Sequence, residues 1–213
     1  MIILYSGTPG SGKSLDVARQ ILIKTKFGHD FIGNMTINKD MLLNHSGKYI
    51  YVDTYSLTPA RLVAYAEKYH VHGKEGQTTL VIDECQQIFN SREWNRPVMK
   101  EWNKFFQMHR HYGYNVYLIT QFDRMIDRQI RALIEYNRIH RRLSNLGTGG
   151  KIMDLAGFGK MFVVVEQYYT MKLKTDSYFF RFRRKYSDFY DSYSAFGEQL
   201  ELDELEAWLK EEK

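Results

Sequence analysis

The sequence is poor in cysteine and proline and has no long hydrophobic run, and each absence excludes a class of protein. The single cysteine, Cys85, excludes an intramolecular disulfide and any zinc site built from several cysteines, and it fits a reducing compartment. Three prolines are too few for a Pro-rich linker. The best apolar run, 161–165, is far shorter than the roughly 20 residues of a membrane-spanning helix. At 213 residues the chain fits one domain, or one domain with a small appendage.

Charge is unevenly distributed along the chain. The formal net charge is +5, although residues 198–213 carry seven acidic and two basic side chains. The rest of the chain therefore carries a net charge of +10. Such a basic body predicts an anionic partner, or a basic surface that the acidic tail covers. Hydrophobic residues make up 44% of the chain and charged residues 26%, which is typical of a globular protein and not of a disordered one.

Apolar segments and helical patterns alternate over the first 136 residues. Residues 2–5, 78–82 and 115–120 predict buried strands, and each is followed by a segment with apolar residues at helical spacing. Thr58 and Asp123 are expected to cap two of these helices. Alternation of this kind predicts an α/β fold, in which a mainly parallel sheet is covered by helices on both faces.

The pattern changes after residue 136. Three segments predict strands joined by glycine-containing turns, which favours a small β-rich and antiparallel extension. The predicted strands are 137–143, 161–170 and 177–186. The last 16 residues predict an acidic amphipathic helix. We therefore expect a domain over residues 1–196, with a core at 1–136 and the extension at 137–196, followed by a tail helix at 197–213.

A glycine-rich turn between the first strand and the first helix matches the complete motif G-x-x-x-x-G-K-[ST]. In such a turn, backbone N–H groups point at phosphate oxygens, and the following helix adds the positive end of its dipole. We expect Lys13 to contact the β and γ phosphates of ATP, and the Ser14 hydroxyl to bind Mg²⁺. The residues predicted to bind the nucleotide are Gly7, Thr8, Pro9, Gly10, Ser11, Gly12, Lys13 and Ser14.

Two acidic residues follow the apolar strand at 78–82. Asp83 is expected to hold Mg²⁺, directly or through water. Glu84 is placed to orient or deprotonate the attacking water. The alternative is a pair of surface acids at a strand end. A water-activating glutamate favours an ATPase over a small-molecule kinase, which has no need of one.

Two further polar residues are candidates for supporting catalytic roles. Gln121 follows the strand at 115–120, where it can sense the γ-phosphate or the water, or simply cap the next helix. Arg110 can act as an arginine finger on its own or a neighbouring subunit, or it can belong to a basic last helical turn. His109 and His111 flank Arg110, but residues two apart on a helix do not share a face, which disfavours joint metal binding.

Five segments occur in a specific order along the chain. They are MIILYSGTPGSGKS at the N-terminus, VIDECQQIF at 81–89, HRHYG at 109–113, LITQ at 118–121 and YDSY at 190–193. Together they resemble the zonular occludens toxin (Zot) family, the assembly ATPases of filamentous phages, over about residues 1–196. The resemblance implies a cytoplasmic ATPase that works as a homo-oligomeric ring, extrudes single-stranded phage DNA and contacts coat or assembly proteins.

Members of this family usually continue into a transmembrane helix, which this sequence does not contain. The resemblance therefore implies a peripheral location at the cytoplasmic face of the host inner membrane, reached through a partner or through a segment that is missing here. Two other functions remain open. One is a different DNA-translocating or pilus-type ATPase, and the other is a nucleotide-gated assembly scaffold with little turnover.

Cationic residues alternate with other residues on two predicted strands. With period two, one face of each strand is cationic, which is typical of an electrostatic track for single-stranded DNA or of an ordinary solvated sheet face. The cationic residues are Arg138, His140 and Arg142 on the first strand, and Arg181, Arg183 and Lys185 on the second.

Overall fold

Strands and helices alternate along the computed structural model, which describes residues 1–92, 97–145, 147 and 160–190. The strands are Ile2–Ser6 (β1), Asp30–Gly33 (β2), Tyr49–Tyr51 (β3), Thr78–Ile82 (β4), Tyr114–Thr120 (β5), Tyr136–Arg142 (β6), Met161–Tyr168 (β7) and Lys174–Arg181 (β8). The α-helices are Lys13–Lys24 (α1), Pro59–Tyr69 (α2), Pro97–Met108 (α3), Arg128–Ala132 (α4) and Arg184–Phe189 (α5). The predicted tail helix at 197–213 lies outside the described residues.

All eight of these strands belong to one sheet. Their order is β3-β2-β4-β5-β1-β6-β7-β8. Every pair from β3 to β6 is parallel, whereas β7 runs antiparallel to β6 and β8 runs antiparallel to β7. The predicted α/β class with a mainly parallel sheet is therefore confirmed, and the β-rich segment continues the same sheet through the pairing of β6 with β1.

Helices cover both faces of the parallel part of the sheet. One core packs α2, α3 and α4 against the first face, with Trp102 and Phe106 among its fully buried aromatics. The other core packs α1 and the end of α5 against the second face, where Phe189 is completely buried. Alternating residues of β1 feed the two cores, because successive side chains of a strand point to opposite faces.

Two local predictions are wrong. Asp123 begins a 3-10 turn, and the cap of α4 is Asp127, whose carboxylate accepts from the Gln129 and Ile130 amides. Asp127 can cap because its backbone leaves the helical region at the residue before the first turn. The strand predicted at 177–186 ends at Arg181, and the chain then turns into α5.

A buried polar cluster joins α1 to the β6–β8 part of the sheet, and we call it the Asp16 cluster. Asp16 is fully buried on α1, and its carboxylate accepts from Arg19 Nη2 (2.8 Å), His140 Nε2 (3.1 Å) and the Tyr178 hydroxyl (2.5 Å). Beside it, Arg138 donates to a Glu166 carboxylate oxygen (2.7 Å). His140 therefore faces α1, and Arg138 is partly buried beside Glu166, so neither side chain belongs to a fully solvated cationic face of β6.

Burial alone would raise the pKa of Asp16. The hydrogen bond and charge of His140 act in the opposite direction, and the Tyr178 hydroxyl and the Arg19 guanidinium add to their effect. The pKa of Asp16 is consequently lowered to about 2. The carboxylate is thus held in its ionised form inside the protein.

No helix among the described residues combines the length and the apolar character needed to cross a lipid bilayer.

Candidate nucleotide-binding site

The sheet topology brings three of the predicted motifs to one edge. The phosphate loop, Gly7–Ser14, follows β1, the acidic pair Asp83-Glu84 follows β4, and Gln121 follows β5. These strands are parallel, so their carboxyl ends meet at the same side of the sheet. Because β5 lies between β1 and β4, Gln121 lies between the phosphate loop and the acidic pair.

Glycine is required at two positions of the phosphate loop. Gly12 precedes α1 with a φ of 93°, and a Cβ there would lie 2.7 Å from the ring of Phe162 on β7. Gly7 has a φ of 144°, and a Cβ there would clash with the His140 carbonyl oxygen on β6. Both φ values are ones that side chains disfavour, and both residues are closely packed. The loop is therefore shaped by direct contact with β6 and β7.

Lys13 lies within the loop and is almost completely buried. Its ammonium donates to the carbonyl oxygens of Gly7 (2.8 Å) and Thr8 (3.2 Å). Burial lowers the pKa of Lys13, whereas the negative charges of Glu84 and Asp83 act in the opposite direction. The structure thus places a positive charge in the phosphate loop and facing the acidic pair, where it can stabilise a polyphosphate.

Asp83 is held in place at both its backbone and its carboxylate. The Asn34 side chain accepts from the Asp83 amide (2.7 Å) and donates to the Asp83 carbonyl (3.1 Å). One carboxylate oxygen of Asp83 accepts from the Glu84 amide (2.9 Å). Burial raises the pKa of Asp83 to about 6, because the hydrogen bond from Glu84 and the charge of Lys13 offset it only in part. The carboxylate of Asp83 and the hydroxyl of Ser14 are oxygen donors of the kind that Mg²⁺ prefers.

Glu84 has an unusual backbone conformation. Its φ of 44° and ψ of 46° lie in the left-handed region, which costs a residue with a side chain about 1–3 kcal/mol and is frequent at active sites. Its carboxylate accepts from the side-chain amide of Gln86, and the side-chain carbonyl of Gln86 accepts from the Thr120 hydroxyl (2.8 Å). A chain of hydrogen bonds therefore links the predicted water-activating residue to the end of β5.

Four residues of this site were not predicted from the sequence. Asn34, Gln86 and Thr120 carried no predicted role in the site, and neither did Tyr190, whose hydroxyl contacts the Asp83 carboxylate. Asn34 offers the clearest signal in retrospect, because a polar residue directly after a buried strand lies at the same edge as the motifs.

Comparison with known families gives a single assignment. The family model described as zonular occludens toxin (Zot) matches residues 1–195. This chain belongs to the Zot family. A search of curated proteins found no significant match.

Several solved structures share the fold of this chain. The N-terminal domain of zonular occludens toxin from Neisseria meningitidis is 20% identical with a TM-score of 0.55, covering 89% of this chain and 98% of that one. B204, the DNA-packaging ATPase from Sulfolobus turreted icosahedral virus, is 13% identical with a TM-score of 0.52, covering 85% and 98%. The solved ATPase domain of a further protein is 10% identical with a TM-score of 0.60, covering 89% of this chain and 84% of that one. At these identities the matches show the fold alone, that of P-loop NTPases.

The HRHYG segment of this Zot-family chain lies at the other end of β1. Arg110 Nη2 contacts the Glu135 carboxylate (2.6 Å), and the second oxygen of that carboxylate accepts from the Ile2 amide (3.0 Å). The length of β1, roughly 16 Å, therefore separates Arg110 from the phosphate loop of its own chain.

Burial, followed by the charge of the N-terminal amine, lowers the pKa of His109 to about 4. Its ring contacts the Phe106 carbonyl oxygen and the N-terminal amine, and the described residues contain no cluster suited to metal binding.

Gln121, in contrast, lies directly beside the loop. Its carbonyl oxygen accepts from the Gly7 amide (3.4 Å). Gln121, Gly7 and Thr8 also line a cavity of about 390 Å³ over the ends of β1, β5 and β6. The roles of Gln121 as a sensor and of Arg110 as a finger acting on a neighbouring subunit stay predictions.

Proposed function

We propose that this chain is an ATPase motor that powers filamentous-phage assembly and the extrusion of single-stranded DNA. The observation that carries the proposal is the placement of a complete phosphate loop and the Asp83-Glu84 pair on parallel strands separated by β5. This arrangement supports the proposal because Lys13, Asp83 and Glu84, the proposed phosphate-binding, metal-binding and general-base residues, lie at one edge of the sheet. Membership of the Zot family connects this site with phage assembly.

We assign each residue a role that its position allows. The loop amides and Lys13 bind the phosphates, while the Ser14 hydroxyl and the Asp83 carboxylate would hold the metal. When bound, Mg²⁺ would neutralise negative charge on the β and γ phosphates. Glu84 takes a proton from the attacking water, and Gln86 fixes the direction of its carboxylate.

Single-stranded DNA should stimulate the ATPase activity of a motor that moves it. We expect the steady-state rate at saturating ATP to rise severalfold with an oligothymidylate, and the effect to weaken with salt because phosphate contacts release counterions. For roughly five contacted phosphates, the affinity for the oligonucleotide should fall about 100-fold between 50 and 200 mM salt. A coupled phosphate-release assay at both salt concentrations measures the effect.

A duplex of equal length and a polyanion without bases serve as matched controls. Equal stimulation by all three polymers would show a general response to charge and would contradict a motor for single-stranded DNA. A preference for the duplex would favour a different DNA-translocating ATPase. A rate that no polymer changes would favour the assembly scaffold.

We further propose that the motor is a homo-oligomeric ring at the cytoplasmic face of the host inner membrane, attached there through a partner. Two observations support a role for Arg110 across a subunit boundary. Its guanidinium lies far from the phosphate loop of its own chain, and half of its side chain remains exposed. An exposed arginine at the opposite end of the sheet can reach a phosphate only on a neighbouring copy.

Arg110→Ala should lower the ATPase rate of the assembled protein by about 10³-fold while the affinity of the protein for ATP is unchanged. Glu135→Gln is the matched control, because it removes the same ion pair and leaves the arginine in place. Sedimentation velocity with a non-hydrolysable ATP analogue shows whether the variants still assemble. Equal rates for the two variants, or a strictly monomeric wild-type protein, would leave Arg110 with a structural role only.

A further inference from the structure

Tyr190 reaches the predicted metal site from the far end of the described chain. It directly follows α5, and its backbone pairs with Ile37 in an isolated antiparallel bridge. The Asn38 amide donates to the Phe189 carbonyl (2.8 Å), and the Phe189 side chain is completely buried in the core that includes α1. Tyr190 is therefore held in place by the packing of Phe189 and by the backbone contacts of this segment with Ile37 and Asn38.

The Tyr190 hydroxyl contacts Asp83, one of the two residues predicted to bind Mg²⁺. It donates to one carboxylate oxygen of Asp83 (3.4 Å). The other carboxylate oxygen of Asp83 accepts from the Glu84 amide (2.9 Å). Each oxygen of Asp83 thus has one fixed donor and keeps lone pairs for a metal or its water.

We propose that Tyr190 is a positioning residue of the metal site, whose hydroxyl holds the Asp83 carboxylate in the orientation that binds Mg²⁺ with the nucleotide. This inference rests on the proposed ATPase function. The donors fit the ion, because a hydroxyl and a carboxylate are hard oxygen ligands. Residues that hydrogen-bond to metal ligands orient them, and their loss typically weakens metal binding 10- to 100-fold.

The contact also makes the metal site depend on a distant segment. Asp83 directly follows β4 and Tyr190 directly follows α5, so the hydrogen bond between them joins segments that lie 107 positions apart. The Tyr190 side chain is anchored by Phe189 and by the bridge to Ile37. Packing of the segment after β8 therefore determines how well the Asp83 carboxylate is oriented towards the metal.

Tyr190→Phe tests the proposal, because it removes the hydroxyl and keeps the packed ring. We expect the Mn²⁺ concentration for half-saturation of the protein with bound ADP, measured by electron paramagnetic resonance, to rise about 10-fold. Nucleotide affinity measured in EDTA should be unchanged. Tyr55→Phe is the matched control, because Tyr55 is 90% exposed and should leave both quantities at their wild-type values.

The Mn²⁺ affinity, the melting temperature and nucleotide binding test the role of Tyr190, the folding of the variant and the ATPase function separately. An unchanged Mn²⁺ affinity in Tyr190→Phe would overturn the proposal, and tighter binding would overturn it too by showing that the hydroxyl competes with the metal. Equal melting temperatures of Tyr190→Phe and wild-type protein would exclude a folding defect. Tyr190→His restores a polar group on a ring and should recover part of the Mn²⁺ affinity. If the wild-type protein binds no nucleotide at all, the ATPase function fails, independently of Tyr190.

Discussion

Glu84→Gln should bind ATP as tightly as the wild-type protein and hydrolyse it about 10²- to 10⁴-fold more slowly. The amide has nearly the same shape as the carboxylate, so it preserves the left-handed turn at this residue and the packing of the site. It cannot accept a proton from water, which removes general-base catalysis and leaves phosphate binding intact. Single-turnover hydrolysis and a binding titration with a fluorescent ATP analogue measure the two quantities separately.

Lys13→Ala separates binding from chemistry in the same assays. It removes the ammonium that lies within the phosphate loop, so ATP affinity itself should fall. Lys26→Ala is its control, because that lysine is exposed just beyond α1 and should behave as wild type. Wild-type hydrolysis by Glu84→Gln would exclude Glu84 as the base, and wild-type ATP affinity of Lys13→Ala would contradict the phosphate-loop assignment.

The central parts of the site were predictable because their chemistry is local in sequence. A phosphate loop needs consecutive backbone amides at the start of a helix, so eight adjacent residues, Gly7–Ser14, contain nearly all of its information. The Asp83-Glu84 pair is similarly defined by the apolar strand that precedes it. Because parallel strands end at one edge of the sheet, the α/β fold then brings both motifs together.

The supporting residues were not predictable because their contacts are remote in sequence. Asn34 clamps Asp83 from 49 positions away, and Tyr190 reaches the same residue from 107 positions away. Asparagine and tyrosine are common in turns and at surfaces, so neither residue type signals its partner. Only the strand order reveals this contact. Because β2 lies beside β4, the Asn34 side chain directly after β2 can hydrogen-bond to the backbone of Asp83 directly after β4.

The basic strands show a different limit of sequence patterns. Period-two alternation correctly indicates that the side chains of β6 alternate between two faces, but it does not indicate which face is covered. Contact with α1 buries His140, whose ring donates to Asp16, and Arg138 is partly buried beside Glu166, which accepts its hydrogen bond. The acceptor Asp16 lies 124 positions from His140, beyond the reach of any local pattern.

Asp16→Ala should lower the free energy of unfolding by about 3–5 kcal/mol, because it removes one partner from a buried charged cluster and leaves the others unpaired. The guanidinium of Arg19 would lose its carboxylate, and the fully buried ring of His140 would lose an acceptor. Tyr178→Phe removes a single hydrogen bond to a charged group and should cost less, about 1.5–3 kcal/mol. Urea unfolding followed by circular dichroism measures both changes.

The dependence on pH distinguishes the charge of Asp16 from its packing. The folded-state pKa, about 2, lies below the ordinary value of 3.8, so the carboxylate stabilises the fold fully above about pH 4, and this contribution is lost as pH falls towards 2. The contribution amounts to about 2 kcal/mol. The difference in stability between wild type and Asp16→Asn should therefore shrink as the pH falls from about 4 towards 2, whereas the exposed Asp188→Asn should differ little from wild type throughout. If the stability difference between wild type and Asp16→Asn stayed constant over this range, Asp16 would contribute through its shape and not through its ionisation. In that case β6–β8 would be joined to α1 by packing alone.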